Sequence, residues 1–409
     1  MTSAKFVKKI FLIVFTTSLI FFTGYYFGKF GLVDPRFVRF NFSNELKNKT
    51  AIGSPDFGLF WNVWDMVGKN YFDSTKLNTS EMIYGAIKGM VAAIGDPYTV
   101  FLTPSENKTV EDDLNGSFEG VGIQIGFKKK DLTVISPLPN SPAKAAGVLA
   151  GDIILAIKDE KKGVNQSTYG MSIDEAVALI KGPKGTEVTL LIARDGEDKA
   201  RSIIIKRAKI EVASVELEMT DNGSIAHLKL LKFSSDTQAE WDKAVTAIAK
   251  NPTDKIILDL RGNPGGYMQG AVDLAGDFLP DGTLVVVEDS KAYGRTEYKT
   301  KGLPQLAKYQ TVILVDGGSA SASEILAAAL REQAKIKIVG EKSFGKGTIQ
   351  EPKNLSQNSG IHITIGRWLT PDGNWLNEKG LEPDVVVADN PETPEDEQLE
   401  KALEIVNNL

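Results

Sequence analysis

Serine and lysine residues stand in turns that follow short apolar runs, and together these two residue types can perform acyl transfer. Three serines lie in the small-residue turn 317–324, a lysine lies in the turn 343–347, and a glycine-rich turn covers 262–266. In open α/β sheets, ligands bind at the edge where the carboxyl ends of the strands meet. We therefore predict that the three turns converge there. A serine at a helix N-terminus, a lysine beside it and glycine backbone N–H groups would form a Ser–Lys site.

The lengths of the intervening elements allow Lys346 to return to the serines. A helix of about eleven residues after Ala322 rises roughly 16 Å, and a strand of about five residues returns roughly 16 Å. Lys346, Thr348 and Gln350 would then share one face of an extended segment, because side chains alternate along a strand. Burial would lower the lysine pKa from about 10.4 toward the working range. A hydrogen bond from Gln350 could orient the neutral amine.

The same turns contain backbone donors for the oxyanion of an acyl-transfer reaction. The N–H of Ala322 would donate one hydrogen bond, and the N–H of either Gly265 or Gly266 would donate the second. Taken alone, each motif is more typical of an ordinary turn or of close helix packing. Their combined placement after three neighbouring strands favours a site.

The composition removes most other catalytic chemistries. The 409 residues include no Cys and two His, His227 and His362, and carry a formal charge of −6. Without Cys the chain has no disulfide, thiolate metal site or cysteine nucleophile, and we predict no metal and no cofactor. Both His lie in predicted strands that no glycine-rich turn follows, so we place them away from the site without a catalytic role. The negative charge argues against nucleic acid as a partner.

Hydrophobic periodicity divides the chain into the elements that must position these turns. In order they are a helical segment at 55–105, a β-rich domain at 106–208, an alternating α/β core at 209–390 and a C-terminal helix at 391–409. The core strands are predicted at 225–230, 255–260, 311–315 and 336–339, and its helices at 241–249, 268–278 and 323–331. A helix at 173–180, with Ser172 as N-cap, interrupts the β-rich domain. The fold class is multidomain α/β.

The N-terminal residues have the pattern of a membrane anchor. Residues 10–28 carry no charge and, at about 1.5 Å per residue, approach the ~30 Å hydrocarbon thickness of a bilayer. A cleaved signal peptide is the alternative, but the aromatic rings at 25–27 differ from the small residues that precede a cleavage site. We predict one uncleaved transmembrane helix, with residues 1–9 in the cytoplasm. Residues 29–54 would form a linker to a folded body on the other side.

Three motifs in the core resemble those of the carboxyl-terminal processing proteases, a serine protease family with a Ser–Lys dyad. They are Asp-Leu-Arg-Gly-Asn-Pro-Gly-Gly at 259–266, Gly-Ser-Ala-Ser-Ala-Ser-Glu at 318–324 and Phe-Gly-Lys-Gly-Thr-Ile-Gln at 344–350. The likeness extends over residues 57–386, including Gly-Asp-Pro-Tyr at 95–98. The resemblance implies Ser321 as nucleophile, Lys346 as general base and Gln350 as the supporting third residue. It also implies a core layered like crotonase and ClpP.

The β-rich domain resembles a PDZ domain. Its carboxylate-binding loop would be Gly120, Val121, Gly122 and Ile123, beside which a peptide would add as a strand. Relatives often carry Arg-Gly where this chain has Lys181 and glycine at 182, and that arginine is thought to couple the PDZ domain to the active site. The resemblance implies Lys181 as the coupling residue, although lysine lacks the bidentate fork of arginine.

The resemblance implies a membrane-anchored serine endopeptidase that captures C-terminal tails and cleaves nearby. Its partners would be proteins or peptides with accessible C-termini and, through residues 10–28, a lipid bilayer. The location would be a bacterial inner or plasma membrane, with the catalytic body in the periplasm or at the cell surface. Assembly into homo-oligomers is left open. Two alternatives are a non-catalytic PDZ adaptor on the same scaffold and, by fold analogy alone, a crotonase-like hydratase.

Overall fold

A computed structural model describes residues 56–128, 130–197, 199–388, 393 and 395–409. The chain divides into two units, residues 1–79 and 80–409. The first unit contains helix α1 (Gly58–Asn70) and a short 3₁₀ helix (Ser74–Lys76) within its described part. Both helices lie within the segment 55–105 that the sequence predicts to be helical.

The predicted cytoplasmic residues 1–9, transmembrane helix 10–28 and linker 29–54 lie outside the described residues. Within the described ranges, no helix combines the length and the apolar character needed to cross a membrane.

The second unit starts inside helix α2 (Thr79–Ala92), which is followed by strand β1 (Val100–Leu102) and helix α3 (Pro104–Leu114). Thr103 caps α3 in a capping box: its Oγ1 accepts the Glu106 N–H at 3.5 Å, and its backbone N–H donates to the Glu106 carboxylate at 2.9 Å. Strand β1 pairs antiparallel with a strand of the core, with Val100 opposite His362. This pairing places the turn at 95–99 next to the core. The predicted domain limit at residue 106 falls inside α3.

The β-rich domain has ten elements. They are β2 (Ser117–Gly120), β3 (Ile123–Lys128), β4 (Asp131–Pro137), α4 (Pro142–Ala145), β5 (Ile153–Asp159), β6 (Val164–Ser167), α5 (Ile173–Ile180), β7 (Glu187–Ala193), β8 (Arg201–Lys206) and β9 (Ala208–Glu211). The order β3-β4-β5-β7-β8 leaves β3 at an edge of the sheet, and β2 pairs with β9. The prediction for α5 is confirmed: Ser172 Oγ accepts the Glu175 N–H at 3.2 Å, and the Glu175 carboxylate accepts the Ser172 N–H at 2.8 Å.

The core contains the remaining elements. They are β10 (Val215–Thr220), β11 (Ile225–Leu230), α6 (Thr237–Lys250), β12 (Lys255–Asp259), α7 (Met268–Ala275), β13 (Leu284–Ser290), β14 (Gly294–Lys299), β15 (Gln310–Val315), α8 (Ala322–Ala334), β16 (Lys337–Gly340), β17 (Thr348–Asn354), β18 (Gly360–Leu369), β19 (Val385–Val386) and α9 (Glu397–Asn407). The central sheet has the order β10-β11-β12-β15-β16-β19. Strands β12, β15 and β16 are adjacent and parallel. The predicted convergence of the three turns at one sheet edge is thus confirmed.

Alternating strand residues bury both faces of this sheet. On one face Ile256 and Leu258 belong to the main core, which includes the apolar sides of α6, α7 and α8. On the other face Ile257 packs with Ala402 and Val406 of α9. A second sheet, β1-β18-β13-β14 with β17 beside β18, adjoins the core. The sequence pattern did not predict β13 or β14. Strand β14 is polar and exposed along nearly its whole length, so it lacks the alternation that marks a half-buried strand.

A buried charge network occupies the end of β12. Asp259 Oδ2 lies 3.0 Å from His227 Nε2 and 2.8 Å from Arg261 Nη2. Burial alone would raise the pKa of Asp259, but hydrogen bonds from His227 and Arg261 outweigh it and lower the pKa to about 2. His227 is therefore a locally satisfied strand residue, as predicted.

Acid should weaken the core through Asp259. The pKa of Asp259 is lower in the folded chain than in the unfolded chain. Its contribution to the stability of the fold is therefore complete above about pH 4 and is lost as the pH falls toward 2. The shift corresponds to about 2 kcal/mol of the free energy of unfolding. Urea unfolding at pH 5 and pH 2.5 should show a smaller decline for Asp259→Asn than for the wild type. Equal declines would contradict this assignment.

Candidate active site

The nucleophile candidate Ser321 lies directly before helix α8, in the turn that follows β15. Its backbone has φ +56° and ψ −113°, a region that non-glycine residues rarely occupy and that costs on the order of 1–3 kcal/mol. Neighbouring contacts hold this conformation: Ala320 N–H and Ser323 Oγ donate to the Asn263 carbonyl at 3.0 and 2.9 Å. The turn therefore projects a serine from a helix N-terminus, as the sequence predicted.

The glycine turn after β12 lies against Ser321. A Cβ added to Gly265 would be 2.9 Å from Ser321 Cβ and 3.0 Å from the Ala322 nitrogen, and one added to Gly266 would be 2.0 Å from the Phe233 carbonyl oxygen. Only glycine permits this approach. The Gly265 N–H already donates to Asn263 Oδ1 at 2.9 Å. Among the described residues, no acceptor pairs with the N–H of Gly266 or Ala322, so the geometry favours Gly266 over Gly265 as second oxyanion donor.

Lys346 lines the same 340 Å³ pocket as Ser321, Gly265 and Gly266. Burial lowers the pKa of Lys346, and the nearby Asp96 charge partly opposes this change. The ammonium nitrogen lies 4.9 Å from the centre of the Tyr98 ring. A lysine with a lowered pKa carries a larger fraction of neutral amine near pH 7, which a general base requires.

Glu324, which the sequence analysis did not single out, connects the serine turn to the lysine turn. Its buried carboxylate accepts the N–H of Ser321 at 2.8 Å and the N–H of Lys346 at 3.0 Å through Oε2. Its Oε1 accepts the N–H of Gly345 at 2.7 Å and the hydroxyl of Ser343 at 2.5 Å. The available signal was a glutamate three residues after a serine at a helix start.

Gln350 lines the pocket, but its hydrogen bonds differ from the predicted contact with Lys346. Its amide nitrogen donates to Thr348 Oγ1 at 2.9 Å and to Thr364 Oγ1 at 3.2 Å. A β-bulge between β17 and β18 at this point changes the register. Gln350 therefore braces strand β17, which follows the turn that carries Lys346.

The placement of His362 away from the site was wrong. His362 lines the pocket together with Lys346, because the pairing of β18 with β17 sets it opposite Pro352. Burial and the charge of Lys346 lower the pKa of His362, so the neutral imidazole is favoured. The sequence missed this position because only the unpredicted sheet brings β18 to the site.

Asp96 and Tyr98, from the Gly-Asp-Pro-Tyr motif, also reach the site. Thr99 Oγ1 donates to Asp96 Oδ2 at 2.6 Å, and the Thr364 N–H donates to Thr99 Oγ1 at 3.0 Å. Burial opposes the charged form of Asp96, yet hydrogen bonds from Thr364 and Thr99 lower its pKa. A carboxylate is thereby fixed near Lys346.

The rest of the pocket is largely apolar. Its apolar lining side chains are Val110, Leu114, Phe233, Met268, Ile325, Ile349 and Trp368. Lys232 and Asp113 also line the pocket, and Lys232 Nζ lies 3.5 Å from Asp113 Oδ1. A pocket of this kind accepts apolar side chains and excludes water from the reacting groups.

The loop between β2 and β3 has the backbone of an anion-binding turn. Gly122 has φ +74°, and an added Cβ would lie 2.4 Å from Ser141 Cβ. In the described chain the N–H groups of Val121 and Gly122 meet no acceptor. Together with edge strand β3, this loop has the parts needed to take a peptide terminus.

Lys181 lies at the C-terminal end of helix α5 next to this loop. Its ammonium nitrogen is 4.8 Å from the centre of the Phe118 ring, and its Cγ is 3.7 Å from the position of a Cβ on Gly120. Strand β2, which carries Phe118, follows α3, and Val110 and Leu114 of α3 line the catalytic pocket. The coupling role of Lys181 stays a prediction.

Three family models match the chain. The model described as peptidase family S41 matches residues 224–387, the one described as a PDZ domain matches 133–194, and the one described as the activating protease CtpB N-terminal domain matches 39–105.

Curated relatives and a solved structure agree with these matches. The carboxy-terminal processing protease CtpA of Bacillus subtilis (strain 168) is 34% identical over 349 residues, covering 85% of this chain and 72% of that protein. CtpB of the same strain is 33% identical over 327 residues, covering 79% of this chain and 66% of that protein. A crystal structure of a putative S41 protease from Bacteroides fragilis NCTC 9343 matches with a TM-score of 0.52 at 15% identity. The match covers 87% of this chain and 98% of that protein's chain. That last match shows likeness of fold alone.

The CtpA match runs through most of the chain, and the PDZ model matches residues that precede those matched by the peptidase model. The chain therefore belongs to peptidase family S41, among the carboxy-terminal processing serine proteases that carry a PDZ domain.

Proposed function

We propose that this protein is a membrane-anchored endopeptidase that binds protein C-terminal tails through its PDZ domain and cleaves with a Ser321–Lys346 dyad. One observation carries the dyad: Ser321, Lys346 and Gly266 line one pocket, and the Gly266 N–H has no acceptor among the residues that the structure describes. Gln350, which braces β17, takes the supporting role.

The reaction would proceed through an acyl-enzyme. Neutral Lys346 takes the hydroxyl proton as Ser321 Oγ attacks the scissile carbonyl carbon, and the resulting oxyanion accepts hydrogen bonds from Ala322 and Gly266. The Lys346 ammonium then returns the proton to the departing amine. Water, deprotonated by Lys346, attacks the acyl carbon, and Ser321 recovers its proton on leaving.

Tail capture would use the loop from Gly120 to Ile123. The terminal carboxylate would accept hydrogen bonds from the N–H groups of Val121 and Gly122, which have no acceptor in the described part of the chain. The peptide would extend along edge strand β3. Lys181 would couple this loop to the catalytic pocket through Phe118. The apolar residues of α3 that line the pocket would transmit the effect of peptide binding to it.

Gly122→Ala should weaken binding of a peptide C-terminus by about 10-fold or more, because a left-handed backbone costs an L-residue roughly 1–2 kcal/mol. The added methyl would also displace Ser141. Gly163→Ala is the matched control, since Gly163 also has positive φ but no neighbour within 4 Å. Calorimetry with an apolar-tailed peptide and with its C-terminal amide measures the effect. Wild-type affinity in Gly122→Ala would contradict the loop assignment.

The anchor at residues 10–28, the cytoplasmic N-terminus and an extracytoplasmic catalytic body are part of the proposal, supported by the uncharged run and its preceding lysines. The proposal also includes a core layered like that of crotonase and ClpP. The central sheet, which is covered on both faces, supports this layering.

A fluorophosphonate probe tests the proposed chemistry. It should label the wild-type protein on Ser321, as located by peptide mass spectrometry, and should leave Ser321→Ala unlabelled. The same samples incubated with a disordered protein of varied C-termini should release peptides only with the wild type. Peptide binding without labelling or cleavage would instead support a non-catalytic PDZ adaptor.

A further inference from the structure

The guanidinium of Arg261 joins the end of strand β12 to the C-terminal helix α9. Its Nη1 and Nη2 donate to the Asp396 carboxylate at 2.7 and 2.9 Å. Its Nε and Nη2 donate to the Asp259 carboxylate at 3.0 and 2.8 Å. One arginine thus bridges two carboxylates in the bidentate geometry that lysine cannot reproduce.

Asp396 is the N-cap residue of helix α9. Its Oδ1 accepts the Leu399 N–H at 2.9 Å and caps the helix. The buried neighbour Gln398 accepts from Arg261 Nη1 at 3.3 Å and donates to the Val387 carbonyl at 3.0 Å. Helix α9 packs on the sheet face opposite α8, so this contact reaches Arg261 from the side away from Ser321.

Arg261 leads directly into the turn that carries Gly266. The Gly262 N–H donates to Asp316 Oδ1 at 2.8 Å, and the same oxygen accepts the Ser319 N–H at 3.1 Å. The Asn263 side chain donates to the Leu230 carbonyl at 2.7 Å. The turn is therefore a short segment held by hydrogen bonds at Gly262, Asn263 and Gly265, and a displacement at Arg261 would be carried along it.

We propose that Asp396 and Arg261 are positioning residues for the oxyanion turn, so that docking of the C-terminal helix sets the placement of the Gly266 N–H. The inference rests on the proposed Ser–Lys function. An oxyanion donor acts only within a few tenths of an ångström of its productive position. The other ionisable groups around this network are His227, Lys229, Asp316 and Glu341, and the tested variants leave all of them in place.

Asp396→Asn in the full chain tests the proposal. We expect kcat to fall about 10-fold and the rate of fluorophosphonate labelling to fall with it, because a misplacement of about 1 Å costs up to about 100-fold. KM should stay within about twofold, since the apolar pocket is unchanged. Glu400→Gln removes one exposed carboxylate from the same helix turn and should match the wild type. Asp396→Glu, which keeps the charge, should restore most of the kcat.

Arg261→Lys provides a second test if Asp396→Asn folds poorly by circular dichroism. Lysine keeps the positive charge but cannot form the bidentate hydrogen bonds of the guanidinium, so kcat should fall about 5-fold. Wild-type kcat in either folded variant would overturn the positioning role, as would a loss of kcat without a loss of labelling rate. Failure of the proposed function looks different: wild-type protein would then resist labelling, or Ser321→Ala would still cleave.

Discussion

Ser321→Ala and Lys346→Met should each lower kcat by at least about 10³-fold, because removing either member of a nucleophile–base pair disables the same step. The double variant should be no slower than the single variants, since the two residues act as one unit. Steady-state cleavage of an unstructured protein measures the loss. Circular dichroism should show wild-type folding for both.

The pH dependence of the wild type gives an independent readout of Lys346. The base must be neutral, so kcat/KM should rise with pH through the lysine pKa, which burial lowers from its usual value. Lys342→Met is the matched control. Lys342 forms a surface ion pair with Glu382 at 2.8 Å, and such exposed pairs contribute about 0–1 kcal/mol. Cleavage retained in Lys346→Met, or lost in Lys342→Met, would contradict the assignment of the base.

Glu324→Gln should lower kcat by about 100-fold with little change in KM. The amide matches the carboxylate in shape, but its nitrogen cannot accept hydrogen bonds, so two of the four donors around Glu324 lose their acceptor. Each buried unpaired donor costs about 1–3 kcal/mol. The chain can relieve this cost by moving the lysine turn away from the serine turn, which separates Ser321 from Lys346.

The control for Glu324 comes from the same surface ion pair. Glu382→Gln removes an exposed carboxylate and should leave kcat within about twofold, since the pair is solvated. Glu324→Asp retains the charge with a shorter reach and should recover part of the loss. If Glu324→Gln instead raises KM and preserves kcat, the carboxylate serves the shape of the pocket and does not tie the two turns together.

Local sequence predicted the elements that carry the chemistry. Apolar runs and small-residue turns located β12, β15 and β16, and Ser172 located the start of α5. These features depend on contacts within a few residues, for which spacing and residue type are sufficient evidence. The convergence of the three turns also followed from the sequence, because parallel strands have one common carboxyl edge.

Long-range contacts decided the rest. Strand β18 brings His362 to the pocket and receives the Gln350 hydrogen bond, but its pairing with β1 and β17 joins segments that are distant along the chain. Nothing in the local pattern specifies that pairing, since register depends on which faces become buried together. The prediction for His362 failed for this reason.

By itself, the sequence determined the residue types, the absence of thiol chemistry, the order of strands and turns, and the presence of a serine and a lysine able to share one edge. Tertiary structure decided which groups are free to act. Asn263 occupies the Gly265 N–H and leaves Gly266 available, Glu324 ties the two turns together, and Arg261 extends the site to the C-terminal helix. Hydrogen-bond partners and burial arise only when distant segments pack, and they select the working donors and lower the pKa of Lys346.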